Sequence, residues 1–175
     1  FNSEILKNKI NKKVRFFMAA RDDAAKGWNQ IIASINNLSE YHLKKSEFIF
    51  FGLNKIPELT KKTNIKIHKF SKRSVVIEEL KKSNSVLVPS WVDNSPNTVY
   101  EAMTFSKAVI ASNRSGIPEL VMNNKTGILV DPMNIAELTK AIEFMIDNPM
   151  KVIEFGKEGY SFIRKKSEIK ENVQK

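Results

Sequence analysis

The sequence predicts an α/β fold, a doubly wound parallel sheet of Rossmann-like type, and three observations carry it. Six short segments rich in Val, Ile and Phe recur along the chain. The stretches between them space their apolar residues at the helical period rather than at the period of two. Strand and helix alternate across nearly all of the 175 residues, without an internal repeat or an obvious linker. That pattern suits one domain with helices on both faces of its sheet.

The strands are read from continuous apolar runs, which suit a sheet covered on both sides. They are Val14–Ala19, Phe48–Gly52, Ile65–Phe70, Ser85–Pro89, Ala108–Ser112 and Gly127–Val130. After the first strand, Ile31, Ile35 and Leu38 share a helical face. After the third, Val76 and Leu80 do so, with Val75 beside them. Ser95-Pro96 opens the next helix, a capping hydroxyl followed by proline at the first helical position. Ile135, Leu138, Ile142, Met145 and Ile146 mark a further helix, which Asn148-Pro149 interrupts. A last helix is expected from Met150 towards Arg164, and residues 168–175 are expected as a loose tail with little to bury.

Composition narrows the function classes. No apolar run is long enough to span a bilayer, and 42% hydrophobic content is too high for a disordered chain. The absence of cysteine removes disulfide scaffolds, Cys-based zinc sites and thiol nucleophiles. The net charge is +10, unevenly spread. Residues 55–73 hold seven Lys/Arg against Glu58 alone, whereas residues 74–148 sum to −3. Such an excess suits nucleic acid, an anionic membrane or phosphorylated ligands, and it also suits a solvated lysine-rich surface. Phe70 is the only aromatic residue where the charge peaks, which speaks against a nucleic-acid-binding module. The chain opens on Phe1 rather than Met and lacks a signal-peptide pattern, so it is expected to be a piece of a longer protein.

In a doubly wound sheet, ligands bind in the loops at the carboxyl ends of the strands. The loop from Ser90 to Glu101 is the richest in chemistry. Free N–H groups of Asn97, Thr98 and Val99 would leave the helix start and, with the helix dipole, favour a phosphate. Glu101 lies one turn deeper on the face of Asn97, and Asp93 lies just before the helix. Carboxylates accept from sugar hydroxyls, so a sugar on each side of a diphosphate fits. The same spacing is equally that of a capped helix with two solvated acids. In the loop after the first strand, Arg21 and Lys26 are the available cations and Gly27 permits a tight entry into the next helix. His68 reads as a structural histidine of its strand and His42 as a surface residue. Asp22-Asp23 reads as a polar turn. Glu119 suits a helix-start acid slightly better than a cleft residue, and Trp91 suits either core or cleft.

Asp93 and Glu101 form D-x7-E, followed by Ala102-Met, Ala108-Val-Ile-Ala-Ser, Ser115-Gly-Ile-Pro-Glu119 and Thr126-Gly-Ile-Leu-Val-Asp-Pro132. This order resembles the C-terminal, nucleotide-sugar donor-binding domain of retaining glycosyltransferases with the GT-B fold, of the group 1 or family 4 type. Those carry E-x7-E, with E-A-M or E-A-L opening the helix, and an Arg five residues before a Lys-Gly pair, as Arg21 stands to Lys26 and Gly27. The resemblance runs from about Val14 to Asn148. It departs at Asp93, where Glu is usual, and at Asn94-Ser95-Pro96, where Gly-Phe-Gly is usual.

The resemblance implies that the chain is a single donor-binding domain, one half of a GT-B fold whose acceptor-binding N-terminal domain is missing. Arg21 and Lys26 would neutralise the diphosphate of a nucleotide-sugar, and Asp93 would hold hydroxyls of the donor sugar, helped by backbone at Asn94 and Ser95. Asn97 and Thr98 would give amides to phosphate, Glu101 would bind the ribose, and Phe70 would pack near the base. No cofactor and no metal is expected; the nucleotide-diphosphate sugar is the donor substrate. The expected function is retaining transfer of a sugar to a saccharide or lipid-linked acceptor, in polysaccharide, lipopolysaccharide or glycolipid synthesis, with the fragment alone inactive. A GT-B-fold sugar-nucleotide epimerase is the alternative, and a basic nucleic-acid-binding module is a further one. The expected location is cytoplasmic, with peripheral membrane association on the cytoplasmic face as a second option and no nucleic-acid partner.

Overall fold

The computed structural model describes residue 10 and residues 12–54, 58–69, 71–93 and 97–173, with side chains as far as Glu168. Six parallel strands form one sheet: β1 (Val14–Ala19), β2 (Ser46–Phe51), β3 (Ile65–His68), β4 (Ser85–Val88), β5 (Ala108–Ser112) and β6 (Gly127–Val130). Their spatial order is β3-β2-β1-β4-β5-β6. The chain therefore steps outward from β1 to β3, then returns to place β4 on the other side of β1. Between β1 and β4 the winding reverses, and crossovers there leave on opposite faces, opening a crevice at the carboxyl ends.

Six helices cover the sheet: α1 (Trp28–Asn37), α2 (Glu40–Lys44), α3 (Arg73–Lys82), α4 (Asn97–Thr104), α5 (Ile135–Asp147) and α6 (Pro149–Val173). Alternation along each strand divides the core in two. One face carries Phe16, Met18, Phe48, Phe50, Leu87 and Ile110 against Ile31 and Ile35 of α1 and Leu138, Ile142 and Met145 of α5. The register sets Phe16 opposite Phe48, and their rings stack at 5.2 Å. The other face carries Phe17, Ile49, Phe51, Val86, Val88 and Val109 against Leu80 of α3 and Val99, Ala102 and Met103 of α4.

The last helix serves both faces: Val152 and Phe155 pack in the first cluster and Ile163 in the second. It passes from one to the other at Gly156, where a Cβ would stand 2.0 Å from the Ser106 carbonyl oxygen. Residues 168–175, expected as a tail, begin within this helix, and side chains past Glu168 lie outside the described residues.

Small differences from expectation have local causes. β2 ends at Phe51 because Gly52 turns away with φ 104°, crossing so close to the first loop that a Cβ would meet the Ala20 carbonyl oxygen at 2.0 Å. α2 is a single short helix that the periodicity does not announce; Ser39 Oγ accepts from the His42 N–H to start it. His42 is not the surface residue expected. Its side chain is half-buried between α2 and α5, with Nδ1 3.4 Å from Glu143 Oε1 and Nε2 3.2 Å from Asp147 Oδ2.

Candidate functional site

The crevice at the carboxyl ends of β1 and β4 contains a cavity of about 250 Å³. Its polar lining is Lys26, Ser90, Asp93, Asn97 and Thr98, above a floor of Met18, Leu87 and their neighbours. Four of the residues read from sequence, Lys26, Asp93, Asn97 and Thr98, thus meet around one space.

Local chemistry explains how. Beyond β1, Asp23 Oδ1 accepts from the Ala25 N–H at 2.9 Å and caps a single 3-10 turn, Ala24–Lys26. Asp22 Oδ2 accepts from the Asn54 N–H at 3.1 Å, so Asp22-Asp23 is the polar turn its sequence suggests. Gly27 follows at φ 81°, a conformation costly for other residues. Its bare Cα faces the end of β4, where a Cβ would meet the Pro89 carbonyl oxygen at 2.4 Å. One further bond, Trp91 N–H to Ala25 O at 2.8 Å, laces the loop after β1 to the loop after β4.

The consequence is an ion pair. Lys26 Nζ donates to Asp93 Oδ2 at 3.1 Å, with both side chains about one-fifth exposed. The Asp93 carbonyl in turn accepts from the Gly116 N–H at 3.3 Å, tying in the loop after β5. α4 begins at Asn97, and the first N–H groups of any helix lack intrahelical partners. Asn97 and Thr98, the first two residues of this eight-residue helix, both line the cavity.

Arg21 and Glu101 stand outside this cavity's lining. Arg21 is exposed on the same loop, where its carbonyl accepts from the Trp28 indole N–H at 2.9 Å. Glu101 lies one turn into α4 and accepts at Oε1 from Arg73 Nη2, 2.5 Å away. Arg73, the first residue of α3, lies in the strand-end segment Phe70–Ser74, where ligand binding is expected of such a sheet, but the sequence assigns it no role. Ser90, with which the candidate loop begins and to which the sequence assigns no role, is buried at the end of β4 and lines the cavity. Phe70, Asn94 and Ser95 lie outside the described residues.

The residues discounted from sequence have ordinary roles. His68 stacks its ring on Phe51, centroids 4.5 Å apart and planes within 10°, as a structural histidine of β3. Glu119 is the exposed last residue of a 3-10 turn, Ile117–Glu119, whose Ile117 is buried. Trp91 is half-buried, and its indole N–H has no hydrogen-bond partner among the described residues.

All six strands, α1 to α5 and the first half of α6 fall within a match to one family model, described as glycosyl transferases group 1, over residues 2–162. The chain belongs to the group 1 glycosyl transferases. Among curated relatives, it is 24% identical over 143 residues to the N,N'-diacetylbacillosaminyl-diphospho-undecaprenol alpha-1,3-N-acetylgalactosaminyltransferase of Campylobacter jejuni, a match covering 79% of this chain and 37% of that enzyme. Among solved structures, HepE of Anabaena in complex with UDP and glucose superposes with TM-score 0.76 at 18% identity, covering 98% of this chain and 52% of HepE. The C-terminal domain of a group 1 family protein, LpcC of Francisella tularensis, superposes with TM-score 0.73 at 19% identity, covering 94% and 91%.

The chain spans about a fifth to two fifths of the curated relatives it matches. It is a group 1 glycosyltransferase domain with the Rossmann-like architecture of one half of a GT-B fold. Among the described residues, no helix is long and apolar enough to cross a membrane.

Proposed function

We propose that this domain binds the nucleotide-diphosphate sugar donor of a retaining glycosyltransferase, and that sugar transfer needs a second domain to hold the acceptor. The observation that carries the reading is the convergence of Lys26, Asp93, Asn97 and Thr98 on one cavity at the winding reversal of the sheet. A cation, a helix start and a carboxylate are what a diphosphate joined to a sugar requires. That HepE was solved with UDP and glucose supports the donor class.

In this scheme the diphosphate lies over the start of α4, taking amides from Asn97 and Thr98. Lys26 leaves Asp93 for a phosphate oxygen, and Arg21, exposed on the same loop, closes over the diphosphate. The two cations offset the charge that builds on the departing nucleoside diphosphate as the bond to the sugar breaks. They do so in place of a divalent ion. Asp93, released from Lys26, accepts from donor-sugar hydroxyls, and Glu101 accepts from the ribose. Catalysis is then chiefly positioning and charge stabilisation of an oxocarbenium-like transition state. The retaining outcome is carried over from the D-x7-E resemblance.

The test is titration of the chain with the common nucleoside diphosphates, followed by ligand-detected NMR, beside Arg21→Ala, Lys26→Ala and Glu101→Ala. Binding that is weakened in each variant and unchanged by a chelator is expected. No binding, or binding indifferent to all three substitutions, would overturn the site, and binding lost to the chelator would overturn its metal independence.

The basic segment supports a second, coarser proposal, a peripheral contact with anionic membrane near a lipid-linked acceptor. At the opposite end of the sheet a groove of about 600 Å³ is lined by Lys13, Lys44, Lys61 and Lys62, with Glu40 as the one acid among its described residues. Lysines so placed attract anionic headgroups at roughly 1 kcal/mol each near a membrane surface. That the Campylobacter relative is named for an undecaprenol-linked substrate is consistent with this.

A further inference from the structure

The Arg73–Glu101 pair joins the start of α3 to the first turns of α4, beside the crevice of the proposed donor. Arg73 stands at the first position of α3, directly after the loop that leaves β3. Glu101 projects from α4 at 30% exposure, and the Arg73 side chain is 79% exposed. The arginine fills no core and covers little apolar surface, and an ion pair so open to water adds little to folding stability. Its effect is geometric. A glutamate side chain has three rotatable bonds, and ordering it on ligand binding costs entropy unless something has already ordered it. Arg73 engages Oε1 at 2.5 Å and makes no described contact with Oε2. One carboxylate oxygen is held while the other is presented.

We infer that Arg73 is a positioning residue for ribose recognition: it sets the Glu101 carboxylate so that one oxygen accepts from the ribose hydroxyls. The inference rests on the reading of Glu101 as the ribose-binding acid. The contact is a single one, from Nη2 to Oε1, so Arg73 fixes the place of that oxygen; a lysine ammonium, on a side chain one atom shorter, reaches it less well. The pair also links the segment after β3 to α4. A nucleotide lying across both therefore meets a carboxylate already aimed.

The experiment measures dissociation constants of the chain for ADP, GDP, CDP and UDP and for their 2′-deoxy counterparts. Wild type, Arg73→Ala, Arg73→Lys and Glu101→Gln are compared, with melting temperatures recorded for each. For the nucleotide that wild type binds best, a ribose preference of several-fold is expected. Arg73→Ala is expected to cut that preference about threefold or more at an unchanged melting temperature, with Arg73→Lys intermediate. If Glu101→Gln abolishes the preference while Arg73→Ala keeps it, the role of Arg73 fails and that of Glu101 stands. If Arg73→Ala weakens ribose and deoxyribose forms equally, the positioning role also fails. If wild type binds none of the four, or Glu101→Gln leaves the preference intact, both readings fall together.

Discussion

Lys26 Nζ and Asp93 Oδ2 lie 3.1 Å apart across the crevice between β1 and β4, although 67 residues separate them in the chain. The pair closes the crevice with its own charges. A phosphate entering there competes with Asp93 for Lys26, and a sugar hydroxyl competes with Lys26 for Asp93. The two substitutions should therefore act in opposite directions on a bare nucleoside diphosphate. Lys26→Ala removes the cation and is expected to weaken nucleoside diphosphate binding about tenfold, the scale of one charge-assisted hydrogen bond. Asp93→Asn releases the cation, so binding of the same ligand should tighten about two- to fivefold, in line with the strength of a partly exposed ion pair. The advantage of the nucleotide-sugar over the nucleoside diphosphate should shrink in Asp93→Asn. Calorimetric titration of both ligands decides it; equal weakening of both by Asp93→Asn would contradict the role given to the acid.

Gly52 and Gly27 hold the loops that make this crevice. Gly52 adopts φ 104°, and a Cβ there would sit 2.0 Å from the Ala20 carbonyl oxygen. Since backbone has to move, Gly52→Ala is expected to destabilise by about 2–3 kcal/mol, the cost of a strained backbone position plus displacement. Gly27→Ala combines φ 81° with a 2.4 Å approach to the Pro89 carbonyl oxygen and should be comparable. Only the Gly27 change should also move Lys26 and so weaken nucleotide beyond its effect on folding. Urea unfolding beside ligand titration separates the two effects.

Lys107, between α4 and β5, is only 5% exposed, and burial pulls its ammonium down to a pKa of about 8. The charged form is thus disfavoured in the folded state. Between about pH 8 and the ordinary lysine pKa near 10.4, the unfolded chain binds more protons than the folded one. This lysine therefore makes stability rise with pH across that window, and below pH 8 its cost is fully present, on the order of 3 kcal/mol. Lys107→Met removes the titrating group and is expected to be neutral or stabilising at pH 7. The unfolding free energy of the variant minus that of wild type should fall as pH rises from 8 to 10. A difference independent of pH would show that burial does not depress this lysine.

The groove lined by Lys13, Lys44, Lys61 and Lys62 makes the membrane proposal measurable. Co-sedimentation with vesicles containing phosphatidylglycerol should exceed that with phosphatidylcholine alone and fall as salt rises, because exposed charges are screened within about 10 Å at 0.1 M. Lys13→Glu with Lys62→Glu should reduce it severalfold while leaving nucleotide binding unchanged, since the groove lies at the other end of the sheet. Equal sedimentation with neutral and anionic vesicles would remove the membrane as the partner.

Much of this protein is written locally. The apolar runs at Val14–Ala19, Ala108–Ser112 and Gly127–Val130 coincide with β1, β5 and β6, and the spacing from Ile135 to Ile146 coincides with α5. A strand or helix is legible because its period depends on neighbours a few residues away. The loops at the strand ends follow from the same periods, which is why Lys26, Asp93, Asn97 and Thr98 could be named as candidates without coordinates.

What the sequence left open depends on strand order. That β4 returns beside β1 is decided by how the crossovers pack, and only that return brings Lys26 to Asp93. Arg73 reaches Glu101 because α3 and α4 share a face of the sheet, and His42 meets Asp147 across 105 residues because α2 lies against α5. The burial of Lys107 is likewise set by the elements that close over it. Local periodicity, then, determined the elements and the chemistry of their loops. Tertiary packing decided which charges meet and which lose their water, because Coulomb and desolvation energies depend on distance in space rather than along the chain.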